Sequence, residues 1–167
     1  MSDVSRSIKE GAGFGLIAGA VFAIAQVIAT MIAGEAAIVA FRRLASVLLG
    51  PDALAVTPTV TAVGVGLVGH FFLSVMFGLF YGIYNSALTM PTRRSFQRQA
   101  VIGPLYGVML WLVNFQVFAR YRYPWLLELP AAPQVFLHAV CFGLPLGLLY
   151  ATAERRVIPM QRPYSYQ

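Results

Sequence analysis

GVGLVGHFFLSVMFGLFYGIY, residues 64–84, is uncharged throughout and carries one of the chain's two histidines. At about 1.5 Å per helical residue it can cross the ~30 Å hydrocarbon core of a bilayer. Gly66, His70, Ser74, Gly78 and Gly82 recur every four residues, so a helix gathers them into one slowly drifting stripe of small side chains with an imidazole set into it. Lipid would leave that imidazole unpaired, whereas small residues let neighbouring backbones come close enough to pair it. The stripe predicts a helix packed among other helices, and hence a multi-span membrane protein with a polar point in its interior.

The rest of the chain has the same character. It is 59% hydrophobic and only 11% charged over 167 residues, with a mean hydropathy of +0.73. Such a composition excludes an ordinary soluble domain and predicts a single all-α membrane domain over residues 1–167. All 12 Lys and Arg lie outside the long apolar runs. The net charge of +6 therefore reads as topology signal and contact with lipid headgroups, not as a nucleic-acid surface. Cys141 is alone, so no intrachain disulfide forms.

Working outward, four spans emerge at about 11–33, 59–86, 99–119 and 133–153, giving an integral membrane four-helix bundle. The first, read as an uncleaved helix, carries its own small-residue stripe, Gly11, Gly15 and Gly19, continued by Ala23 and joined by Gln26 and Thr30. Residues 35–50 are shorter, with Glu35, Arg42 and Ser46 on one side of a helical wheel and Ala37, Phe41, Leu44 and Leu48 on the other. This pattern suits an amphipathic helix in the interface, ended by Gly50-Pro51. Thr57 is the expected N-cap of the second span, with Pro58 in its first turn. In the third span Gly103 and Gly107 share a face with Asn114. The fourth contains His138, Cys141, Pro145 and the Gly143/Gly147 pair, and the tail QRPYSYQ is expected to be poorly ordered. A short repeat, FGLFYG at 77–82 and FGLPLG at 142–147, links spans two and four.

Charge counting sets the expected orientation. Arg6, Lys9, Arg93, Arg94, Arg98, Arg155, Arg156 and Arg162 fall on one side, against Arg42, Arg43, Arg120 and Arg122 on the other. The excess places both termini in the cytoplasm.

RRLASVLLG at 42–50, GHFFLSVMFGLFYG at 69–82, GPLYGVMLWLVNF at 103–115, YPW at 123–125 and HAVCFGLPLG at 138–147 together resemble a family of small four-span bacterial membrane proteins of unknown function. The likeness covers about Gly11 to Tyr150. It implies the four-span architecture and an inner-membrane location, draws attention to His70, Asn114 and His138, and implies no activity. Some members carry the label sodium:proline symporter, but four spans are too few for the symporter fold.

Four polar side chains fall inside spans: Gln26, His70, Asn114 and His138. At about 1.5 Å per residue they lie in the outer half of the membrane or near its centre. One expectation is a hydrogen-bond network that ties the helices together. A second is a b-type haem ligated by His70 and His138 from different helices, with glycines letting the macrocycle approach the backbone. Ion-coupled transport is a third, resting on His70 and on a broken helix at Pro145. Phosphate-binding loops, nucleophile elbows, zinc motifs and paired carboxylates are missing from the sequence. The reading that follows is a non-catalytic membrane protein, a small structural or accessory subunit of a larger membrane complex or of a homo-oligomer. A haem-binding or quinone-adjacent electron-transfer module is the first alternative, and a small transporter or channel the second.

Overall fold

A computed structural model describes residues 3–156, and every regular element among them is helical. Four helices are long and apolar enough to cross a membrane, so the chain is a multi-pass membrane protein with an all-α bundle fold. They are α1 (Asp3–Ile32), α3 (Thr59–Ser86), α4 (Phe96–Arg122) and α5 (Ala131–Arg156). The shorter α2 (Ala37–Leu49) sits between α1 and α3. Each crossing helix except α3 runs a few residues past its uncharged stretch. Backbone hydrogen bonding continues into the polar flanks, and a count of apolar residues misses those turns. Residues 157–167, including the tail expected to be poorly ordered, lie outside the described residues.

Two glycine-lined helix pairs build the bundle. In the first, α1 packs along α3. A methyl group at Gly11 would sit 2.5 Å from the Gly78 carbonyl oxygen, and one at Gly82 would sit 2.5 Å from that of Ser7, so backbone lies against backbone. In the second, Gly103 and Gly107 of α4 meet Gly143 and the His138 backbone of α5, and Gly147 meets the Gln99 carbonyl. The α1–α5 contact joins the pairs, with Phe14 edge-on to Tyr150 at 5.0 Å. Phe77 and Phe142, the first residues of the two repeat hexapeptides, meet edge to face at 6.3 Å in the centre.

The end of the bundle where α1 begins and α5 finishes, here the basal end, is held by buried polar groups. Arg93 and Arg6 both bond Glu154, which is fully buried. The Tyr150 hydroxyl donates to the Ser7 carbonyl at 2.6 Å. Tyr81 donates to Gln99, whose amide donates to Asn85 at 2.8 Å. At the opposite, distal end, α2 and the turn Pro124–Glu128 form a roof. The Trp125 indole N–H donates to Ser46 at 2.9 Å. Arg43 grips both carboxylate oxygens of Glu35 at 2.6 and 2.7 Å, and Arg42 donates to the carbonyls of Ala53 and Thr57 at 2.9 Å each.

Two local expectations are corrected. Pro58, not Thr57, occupies the N-cap position of α3; the Thr57 carbonyl is engaged by Arg42 instead. In α2 the inward face is Ala40, Ala45 and Ser46, with Leu48 and Leu49 exposed. Gly66 decides this, because its missing side chain lets the backbone of Phe41 and Ala45 press onto α3. A small residue on the partner outweighs the polarity of Ser46 when faces are assigned.

Candidate functional site: a cavity between the helices

α3 and α4 do not pack backbone to backbone. Near the basal end tyrosines join them: Tyr106 donates to the Phe77 carbonyl at 2.7 Å, and Tyr81 reaches Gln99. Towards the distal end the two helices part around a cavity of about 530 Å³, closed on that side by α2. Most of its wall is apolar. All four polar residues singled out in the sequence line it: Gln26 from α1, His70 from α3, Asn114 from α4 and His138 from α5. Beneath the roof lies a second cavity of about 520 Å³. Gln26, Arg43, Leu126, Leu129 and Gln134 line both, so the two spaces adjoin through a polar neck.

The four residues do not bond one another. The His70 Nε2–H donates across the helix interface to the Gly19 carbonyl at 2.8 Å. The His138 Nδ1–H donates one turn back to the Gln134 carbonyl at 2.7 Å. A carbonyl oxygen only accepts, so each contact consumes the ring's N–H, and in the neutral imidazole the other nitrogen keeps its lone pair. The side chains of Gln26 and Asn114 have no hydrogen-bond partner among the described residues. What gathers these residues is a shared cavity, and a direct network is not formed.

His138 faces inward, which the α-helical spacing to Gly143 and Gly147 did not indicate. Residues Leu137–Gly143 form π-helical turns, whose wider winding changes the angle between His138 and the glycines from its α-helical value, so His138 lines the cavity while Gly143 lies against Gly103. Pro145 supplies the local cause: it lacks an N–H, and in a regular α-helix its ring would press on the Cys141 carbonyl. A second π-helical segment, Leu112–Ala119, lies in α4. It parts Asn114 from the Gly103/Gly107 face, so the glycines meet α5 while Asn114 turns to the cavity. No proline or glycine lies within it, and the sequence offers no mark of it. Both widened segments supply cavity walls, a frequent placement for such turns.

The space between the imidazoles is taken by Phe22. Its ring stacks on His70 with centroids 5.5 Å apart and meets His138 edge-on at 5.0 Å. A haem ligated by both histidines would have to replace that ring, and the His70 Nε2 is already committed to Gly19, so the residues as arranged do not fit a bis-histidine haem. Among the described residues no three His, Cys, Asp or Glu side chains gather as a metal site.

The sequence reading omitted Gln134 and the basal cluster. Ser7 extends the Gly11–Gly15–Gly19 stripe at its four-residue spacing, and Gln99 extends Gly103–Gly107 in the same way, so both were signalled. Glu154 carried a signal too, as an acidic residue in the closing turns of an apolar span. Comparison with known proteins adds no relative: no family model, curated protein or solved structure matches the chain.

Proposed function

We propose that this is a non-catalytic membrane protein which holds a lipid-soluble molecule between its helices and serves as a small accessory subunit, in a larger complex or a homo-oligomer. The cavity between α3 and α4 carries the proposal. Its volume of about 530 Å³ falls in the range of small-molecule sites, and its mostly apolar wall with a few converging polar groups is their usual make-up. Its position between two crossing helices supports entry from the bilayer without passage through water. The charge distribution supports an inner-membrane orientation with both termini cytoplasmic, which places α2 at the outer interface.

Solvent extraction of protein purified in mild detergent tests the reading. Mass spectrometry should recover a non-phospholipid apolar compound in near-stoichiometric amount from the native protein. Asn114→Trp, which fills the cavity, should lose it. Equal recovery from both proteins would remove the cavity from the argument.

A further inference from the structure

We propose that the molecule held in this cavity is a quinone or its quinol, a flat ring with oxygens at opposite ends carried on an apolar tail. This rests on the binding function proposed above and adds the chemistry of the guest.

Charge narrows the class first. Among the described residues Arg43 is the only Lys, Arg, Asp or Glu on the cavity wall, and both oxygens of Glu35 hold its guanidinium. A phosphate or carboxylate head would lose its hydration and find no free cation in exchange. The guest is therefore uncharged.

Hydrogen bonding narrows it further. Gln26, Gln134 and His138 keep only 8, 5 and 9% of their surface. The amides of Gln26 and Gln134 have no partner inside the described protein, although both residues line the cavity. His138 spends its Nδ1–H on Gln134, which leaves Nε2 to accept. Asn114 adds a further unpartnered amide. A plain hydrocarbon guest would strand these groups without a hydrogen-bond partner. Carbonyl oxygens would accept from the amides, and hydroxyl groups would also donate to the imidazole nitrogen.

Shape completes the selection. The unsatisfied groups come from α1, α4 and α5, so they surround the space instead of marking one wall. A ring with oxygens at both ends can meet opposite walls together, which a simple alcohol cannot. Phe22, Phe115 and Phe142 present ring faces and edges for a planar head to pack on. Phe72, Phe80 and Phe118 line the same cavity and are 63, 51 and 54% exposed, so they offer the tail an apolar route outward between α3 and α4.

The test uses the full chain in lipid nanodiscs, titrated separately with a decyl-substituted benzoquinone, its reduced quinol and 1-decanol. The readout is the rise in unfolding temperature, which saturates when a ligand binds the native state. Either redox form of the ring compound should stabilise the protein saturably, and decanol should not do so at equal concentration. Gln26→Leu and Asn114→Leu should each weaken that binding by about tenfold or more. Asn114 makes no internal bond, so its variant carries the test if Gln26→Leu does not fold. Equal stabilisation by decanol would overturn the quinone assignment while leaving the binding function intact. Unchanged affinity in folded Asn114→Leu would overturn the assignment too. No saturable response to any of the three, with no compound recovered by solvent extraction, would overturn both readings.

Discussion

Glu154 is fully buried and receives Arg93 and Arg6 together. Replacing it with alanine leaves the buried Arg93 without its carboxylate, while the part-exposed Arg6 keeps Glu10, and removal of one partner from a buried pair costs about 3–5 kcal/mol. Equilibrium unfolding in detergent should show a loss of that size for Glu154→Ala. The double variant Arg93→Leu with Glu154→Leu should recover much of it, because the stranded charge goes with its partner; no recovery would mean the cluster acts through packing. The histidines are expected to behave differently. His70→Gln keeps an N–H that can reach the Gly19 carbonyl, so its loss should stay near 1 kcal/mol, the usual worth of one neutral hydrogen bond. At the roof, the hydrogen bonds from Arg43 hold the Glu35 carboxyl below its ordinary value of 4.5. A depressed carboxyl stabilises the fold above its unfolded value and loses that contribution as pH falls through the folded one. The Glu35–Arg43 clasp should therefore hold at neutral pH and release below pH 4.5. Hydrogen exchange of α2 measured across that range reads the release, and Glu35→Gln should abolish the pH dependence.

Among the helices, the glycine contacts decide which faces meet. Leucine at Gly78 would have to enter the backbone of Gly11 and Gly15, and at Gly82 that of Ser7. Leu79 lies one position around the helix and has no such neighbour to displace. Gly78→Leu and Gly82→Leu should disrupt folding in a thermal assay far more than Leu79→Ala, and equal tolerance would deny the close contact. The element scale also shows where sequence reading works. Stripes of small residues at four-residue spacing survive into the structure because they record backbone-to-backbone approach, which little else in a membrane produces. The four crossing helices and the inward aim of Gln26 and His70 were legible on that basis. Three things were not. The π-helical turns rotate His138 and Asn114 away from the faces that a regular helix gives them, and only one of the two segments has a proline nearby. The burial of Ser46 depends on Gly66 of another helix, a pairing that no local pattern encodes. The salt link of Glu154 to Arg93 joins residues far apart in the chain, so arginines that read as topology signal also serve as structure.

For the molecule as a whole, orientation is the widest prediction. Reporter fusions within Arg93–Arg98 should read cytoplasmic and one near Arg122 external; the opposite pattern would invert the protein without altering the fold. The cavity itself was not legible as a space, because it arises from two helices that fail to meet. Gln26, His70, Asn114 and His138 were visible as isolated polar residues, yet their common surrounding depends on how α1–α3 and α4–α5 lean together. That lean has a mechanical consequence. With little more than Ser74 and the His70 ring between the glycine faces of α1 and α3, and backbone against backbone in α4 and α5, each pair forms one closely packed plate, and the plates share a spine along α1 and α5. Ion pairs and tyrosines rivet the spine's basal end, while at the distal edge α3 and α4 part and, among the described residues, are bridged only through the roof, where Trp125 bonds Ser46 of α2. Swinging that edge wider enlarges the protein's footprint in one leaflet and hardly at all in the other. Filling the cavity then becomes work against the lateral pressure of a single leaflet, and guest occupancy in nanodiscs should rise as lipids with smaller headgroup crowding replace tightly packed ones.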